Sequence, residues 1–545
     1  MTIFEKQGLK RAAAAGTALL LGLSLLAAGC GSAKKTSDKA GGAKKEQTLT
    51  IGMTNSPGGF NPISTTDYAS LYTCRFLFDT LLGQPEANKF TPHLADSIDT
   101  KDKKTYTIKL NPKAQWTDGK PITAQDVVFT FNLIANPQVQ STTAKFLSYL
   151  EGVNANGKLT AGTAIPGLKA IDEHTVEFTC KQALDPNMVK NAVGFRINIV
   201  PKHIYEKLSP KGIPTAKEVT NPTVFSGPYK FVKYVTNDHV ELAANDKYVR
   251  GVPKIKRIFL SIMNDTNLVV NLKSGKVQMN AGMGISKIPI KDVDSLKQDK
   301  KLVVETLPAS TSQFMMINNE RFNLAFRKAM VYAINRQQIK DQLCKGYADI
   351  TPTMYTRPSP VFDETVKDFP YDPEKAKAEL AKSGFDTNKE LVLLVPIGNS
   401  IREQSADLIQ QDLKAIGVKV KLEKMDFPTL MSHSRKGDYD MLLMGSAQSA
   451  EPDYTAYFAP GSLSNYSHTN DPALMKMFEE GRTLTDFNAR KAVYQKIQHY
   501  LAENQFQLLL YNDQNFSIKA KNLVGGVKPF WEGMLDDVQN WHFKE

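Results

Sequence analysis

At 545 residues the chain exceeds what a single hydrophobic core usually organises, so two or three subdomains are expected. Its 41% hydrophobic and 23% charged residues are those of a globular protein and exclude a fibrous or disordered one. The net charge of +12 would suit nucleic acid, but the basic residues are spread along the chain and no nucleic-acid module is present. A basic, solvated surface is therefore expected, and no nucleic-acid partner.

The first predicted element is a leader. Lys6, Lys10 and Arg11 form a basic n-region ahead of AAAAGTALLLGLSLLAAGC. The apolar run Ala12 to Gly29 is of borderline length for a membrane span and finishes in small residues. Leu26-Ala27-Ala28-Gly29-Cys30 resembles a bacterial lipobox, with Ala27 where Leu is commoner. The resemblance implies a lipoprotein signal peptide over 1–29, lipidation of Cys30, and a chain held at the outer face of the cell membrane or in the periplasm. An uncleaved anchor helix is the alternative and puts the bulk of the chain on the same side. Residues 30–47 continue as GSAKKTSDKAGGAKKEQ after the cysteine, lack large apolar side chains, and predict a flexible tether. Cys74, Cys180 and Cys344 remain; their wide spacing excludes a zinc pattern and leaves at least one thiol unpaired. They read as buried small hydrophobes, with one disulfide possible and none required.

Strand signals follow. TLTIGM (48–53), TYTIKL (105–110) and HTVEFTC (174–180) alternate as half-buried strands do. Between the last two, WTDGKPITAQDVVFTFNLI (116–134) reads as a turn and a helix start. Asp118-Gly119 and Lys120-Pro121 are turn dipeptides, and Thr123 is an N-cap with Asp126 as its capping-box partner. Further strands are expected at VELAAN (240–245), IKRIFLSIM (255–263), KELVLLVPI (389–397), VKVKLEKM (418–425) and YDMLLMG (439–445). NLAFRKAMVYAI (323–334), EQSADLIQQDLKAIG (403–417) and NARKAVYQKIQHYLAEN (488–504) carry apolar residues at helical spacing. The second half thus alternates helix and strand, an α/β lobe with a partly parallel sheet.

No catalytic motif accompanies these elements. The eight histidines show no H-x-x-x-H, and there is no G-x-S-x-G elbow, P-loop or dinucleotide fingerprint. Binding rather than turnover is expected, with no catalytic residue, metal or cofactor.

TYTIKLNPKAQWTDGKPITAQDVVFTF closely resembles the signature of the family 5 extracellular solute-binding proteins, the oligopeptide, dipeptide and nickel receptors of ABC importers. Tyr106, Leu110, Trp116, Asp118, Gly119, Pro121, Thr123, Ala124, Asp126 and Val127 match, while Asn111 and Ala114 depart from its Arg and Gly. NPISTTDYASLYTCRFLFDTLLG (61–83) resembles the family's usual opening and SGPYKF (226–231) its usual middle. NDKYVRGVPKIKRIFLSIMNDTN (245–267) and FNLAFRKAMVYAINRQQI (322–339) resemble further segments in the family's order, the last with Asn335 for the usual Asp.

The resemblance implies an α/β, two-lobed periplasmic-binding-protein-like (Venus flytrap) fold with an extra subdomain on lobe one. Lobe one's base would comprise 48–78, 195–308 and 509–545, with the extra subdomain at 79–194 and lobe two at 309–508. Hinge strands would lie near Ser310–Ile317 and Gln507–Tyr511. The implied role is a monomeric receptor that closes on a peptide, or on a non-peptide solute such as a metal chelate, and presents it to a permease and ATPase complex. A hydrolase or a surface adhesin are the alternatives of other classes. Ligand contacts would come from Thr65, Thr66, Asp67 and Tyr68, and from the loop holding Gln448, Ser449, Glu451 and Asp453. Peptide receptors often carry W-x-x-D before the acid–Pro pair, and that Asp holds the peptide ammonium. Aligned on Glu451-Pro452, this chain has Gly445 at the Trp and Gln448 at the Asp, which leaves Glu451 or Asp453 to supply the carboxylate.

Overall fold

TLTIGM forms strand β1, Thr48–Met53, with Leu49, Ile51 and Met53 fully buried as the alternation requires. A computed structural model describes residues 46–65, 67–282, 284–447, 449, 451–462, 464–530 and 532–544. The leader, Cys30 and the tether up to Lys45 lie outside the described residues. Helix α1 follows at Tyr68–Leu77. A separate four-stranded antiparallel sheet then forms from β2 (Ala95–Thr100), β3 (Thr105–Leu110), β4 (Lys169–Asp172) and β5 (Thr175–Thr179), in the order β2-β3-β5-β4. Helix α2, Ala124–Ala135, covers it, burying Val127, Phe131 and Ile134 beside Trp116 in one core. Asp126 fixes that helix at both of its oxygens: Oδ2 accepts from Thr123 N (2.9 Å) and Oδ1 from Lys202 N (2.9 Å). The signature stretch is thus structural, and Trp116 is a packing anchor with no exposed surface.

The larger sheet has eleven strands. In chain order its main members after β1 are β6 (Tyr229–Val235), β7 (His239–Ala244), β8 (Arg257–Ile262), β9 (Met279–Asn280) and β10 (Leu302–Ile317). Helix α3 (Leu324–Ala333) precedes β11 (Glu390–Pro396), α4 (Ser400–Ala415), β12 (Lys419–Met425), β13 (Met441–Ala447), α5 (Phe487–Asn504) and β14 (Leu508–Ala520). The spatial order is β12-β11-β13-β10-β14-β9-β1-β8-β7-β6. β1 runs parallel to β8 and β9, and β11 parallel to β12 and β13. On β10, Met315 and Ile317 enter one core while Phe314 and Met316 enter another, so lobe two is packed on both faces of its sheet. Cys74, Cys180 and Cys344 are all free and buried.

β10 and β14 join the two halves. Leu302–Leu307 pair with Asn515–Ala520 on one side, and Thr311–Met315 with Leu508–Asp513 on the other. The register shifts between Leu307 and Thr311, around Pro308, which has no N–H to give to a ladder. A second shift falls between Gln313 and Phe314, and a paired ribbon bends most readily where its ladder is interrupted.

Candidate functional site

Two cavities share Tyr68, which is 48% exposed at the start of α1, and the smaller of them borders this ribbon. Their volumes, about 290 and 220 Å³, approach the lower end of ligand pockets, roughly 300–1,000 Å³. The larger is built on α1, where Tyr68, Leu71, Arg75 and Phe78 follow the helical period onto one wall. Asp67 caps the helix through Ser70: its Oδ1 accepts from the Ser70 backbone N and its Oδ2 from the Ser70 hydroxyl, both at 2.7 Å. Thr65 turns its carbonyl to Thr142 Oγ1 (3.0 Å), joining α1's entry to the smaller sheet's unit.

Charge is distributed unevenly around this cavity. On one wall His93 Nδ1 lies 2.5 Å from Asp79 Oδ1 and its Nε2 lies 2.9 Å from Asp536 Oδ1. Tyr248 OH donates to Asp79 Oδ2 (3.0 Å), so these acids have partners in the fold. On the other wall Arg75 donates to the Glu532 carbonyl, and Arg196 pairs with the Glu532 carboxylate, whose side chain is wholly buried. Burial and then the neighbouring Arg196 push Arg75 down to about 10, which still leaves it charged at neutral pH.

The smaller cavity lies between the halves at the hinge. Lys287 and Met534 face it from one side, Ile401 and Ala447 from the other, and Thr311 and Asp513 from the crossing strands. Asp513 Oδ2 accepts from Gln313 Nε2 (2.6 Å), and Gln313 Oε1 accepts from Arg402 Nε (3.0 Å) and Nη2 (2.9 Å). Burial raises Asp513 above its ordinary value despite the Gln313 bond and the nearby Lys287 and Arg402. Gly445 makes room for this chain: a Cβ there would lie 2.6 Å from Arg402 Nη2 and 3.0 Å from Gln313 Nε2. The space that a Trp would need at position 445 is occupied by a guanidinium.

Of the residues singled out in the sequence, Thr65, Asp67 and Tyr68 line the larger cavity. Ser449 reaches its rim, with Oγ 3.5 Å from Arg196 Nη2. Thr66 and Gln448 lie outside the described residues. Glu451 and Asp453, expected to offer a carboxylate to a ligand, are engaged elsewhere. Glu451 Oε1 accepts from Arg490 Nη2 (2.5 Å), and Asp453 Oδ1 accepts from Thr455 N (3.0 Å). Arg75, Arg196, Asp513 and Arg402 escaped the sequence reading. The period of α1 placed Arg75 on Tyr68's face, and Asp513 interrupts an apolar strand, so both left a trace.

The sequence profile described as "Bacterial extracellular solute-binding proteins, family 5 Middle" matches residues 89–467. The oligopeptide-binding protein AppA of Bacillus subtilis is 26% identical over 538 residues, covering 93% of this chain and 94% of the relative. The periplasmic oligopeptide-binding protein OppA of Salmonella typhimurium is 27% identical over 471 residues, covering 83% and 84%. Among solved structures, the ABC transporter substrate-binding protein CtaP from Listeria monocytogenes matches with a TM-score of 0.80 at 26% identity, covering 92% of this chain and 100% of that one. The two-lobed α/β architecture with its additional sheet is the fold of these binding proteins, and the chain belongs to family 5 of the bacterial extracellular solute-binding proteins.

Proposed function

We propose that this protein is the extracytoplasmic receptor of an ABC importer, which captures a short peptide between two closing lobes and delivers it to a membrane permease and its ATPases. The observation that carries this reading is the smaller cavity at the hinge, walled by Lys287 and Met534 of one half and by Ile401 and Ala447 of the other, which shares the exposed Tyr68 with the larger cavity of the first half. The names of the relatives, oligopeptide-binding proteins, support the ligand class. In this reading lobe one comprises 48–78, 195–308 and 509–545 with the extra subdomain 79–194, and lobe two comprises 309–508. Ligand contacts come from Thr65, Thr66, Asp67, Tyr68, Gln448 and Ser449. The receptor acts as a monomer, held at the membrane by acylation of Cys30 after removal of residues 1–29, with the Lys-rich tether as spacer. Turnover plays no part in this role.

Calorimetry with randomised tri- to pentapeptide pools tests it, together with mass spectrometry of whatever co-purifies. Saturable binding that also raises the melting temperature is expected. Absence of binding to every pool, with a non-peptide solute recovered from the cleft, would overturn the peptide assignment.

A further inference from the structure

The larger cavity holds a group of cations that the peptide reading does not by itself call for. Arg75, Lys145 and Arg196 surround two aromatic rings. The Arg75 guanidinium lies 5.5 Å from the centroid of Phe195, and that of Arg196 lies 5.6 Å from both Phe146 and Phe195. Lys145 Nζ lies 5.3 Å from Phe146. All five residues line the cavity. Its four acids are accounted for within the fold. Asp67 caps α1, Asp79 and Asp536 hold His93, and Glu532 is paired with Arg196. Asp79 and Asp536 are matched by His93 and Arg250. Asp67, whose partners are neutral, and Glu532 leave an excess of one positive charge among the three cations beside apolar rings, where water screens charge poorly. The rings favour cations on their faces, which holds the positive groups in place at the cavity wall.

The opposite side of the cleft agrees. Ser449, in the lobe-two loop, meets Arg196 at this rim. That loop carries neutral Gln448 where the family's peptide receptors commonly place the carboxylate for an ammonium, and its two nearest acids, Glu451 and Asp453, bond Arg490 and Thr455. Among the described residues of that loop, Ser449 meets the Arg196 guanidinium and both acids have partners.

We infer that the lobe-one cavity is an anion subsite, in which Arg75, Arg196 and Lys145 receive a carboxylate of the bound solute. The inference rests on the peptide-receptor reading and specifies it: the end of the peptide held here is its acidic one. A free phosphate would meet the same donors, so inorganic phosphate is a separate arm of the test.

Calorimetry of the purified protein compares three pools of randomised tetrapeptides: free acids, C-terminal amides, and N-acetylated free acids. A charge-assisted contact is lost in the amide, so the free acid should bind at least about tenfold tighter, while acetylation should change affinity less than about threefold. Lys145→Gln, at an exposed position, should weaken free-acid binding and leave amide binding unchanged. The double substitution Arg196→Gln with Glu532→Gln, which avoids stranding a buried carboxylate, should do the same. Equal affinities for acid and amide pools, insensitive to both variants, overturn the anion subsite while the peptide reading stands. Failure of all three pools overturns the peptide reading and this inference with it. Phosphate binding that competes with the free acids supports the subsite; phosphate binding that leaves free-acid affinity unchanged overturns the assignment of the carboxylate to these residues.

Discussion

His93 sits between two carboxylates, Asp79 at Nδ1 and Asp536 at Nε2, with the Arg250 guanidinium 2.6 Å from Nε2. Burial alone would lower its pKa, and Arg250 acts in the same direction. The two acids outweigh both and hold it above the ordinary 6.5. Asp536 is held below its ordinary 3.8, because His93, Arg250 and Lys528 together outweigh its own burial. A raised histidine contributes stability that is complete below pH 6.5 and disappears as pH rises through the folded value. A depressed carboxylate contributes above pH 3.8 and loses its contribution as pH falls through the folded value. The network is therefore worth most between these limits. His93→Gln should lower the melting temperature most near pH 5 to 6, and the gap to the wild type should narrow steadily above it. A gap independent of pH between 5 and 9 would show that folding does not raise the His93 pKa. Sequence order gave no hint of this cluster, since His93 and Asp536 are 443 positions apart and only the fold brings them together.

The regular elements were legible where the local period and the burial agree. TLTIGM, TYTIKL and the helix after Thr123 lie where their patterns place them, because each presents one apolar side to a single core. β10 and β14 were visible only in part. Their centres, ETLPASTS and YNDQNF, are polar because they border the cleft instead of filling a core, so hydrophobicity marks only the ends. The segment SGPYKF was recognisable by resemblance, and its glycine has a physical reason that no period shows. Gly227 N donates to Leu77 O (2.9 Å) at the end of α1, and Asn245 Nδ2 donates to Gly227 O (2.8 Å). A Cβ at Gly227 would lie 2.7 Å from Phe76 O and from Leu77 C, both rigid backbone atoms. Gly227→Ala should therefore push α1 from its seat and cost about 1–3 kcal/mol by overpacking. Gly59→Ala, where nothing lies within 4 Å, is the matched control and should stay within about 0.5 kcal/mol. Urea unfolding midpoints compare the two, and equal costs would remove the steric explanation. Since α1 carries Tyr68 and Arg75, the same substitution should also weaken ligand binding.

Closure of the whole molecule is bridged by few polar contacts, and one of them is buried. Arg490 on α5 donates through Nη1 to Asp185 Oδ2 (3.1 Å), beside the smaller sheet, while its Nη2 holds Glu451. The side chains of Arg490 and Asp185 are each only 2% exposed. A buried pair recovers little more than the hydration that its members lose, so this contact specifies the closed arrangement more than it stabilises it. Truncation is different. With Arg490→Met, Asp185 and Glu451 are left without their cation whenever the lobes close, and regain water when they open. The cost of breaking such a pair, about 3–5 kcal/mol, falls on the closed form. The open form should then dominate, and apparent ligand affinity should fall by at least about a hundredfold, in proportion to the lost closed population. Small-angle scattering should show the variant keeping its larger radius at ligand concentrations that compact the wild type. Adding Asp185→Asn and Glu451→Gln to the variant removes the stranded charges and should restore most of the affinity. If the triple variant binds no better than Arg490→Met alone, the ion cluster is not what couples closure to binding, and the hinge at Pro308 is where the control must be sought.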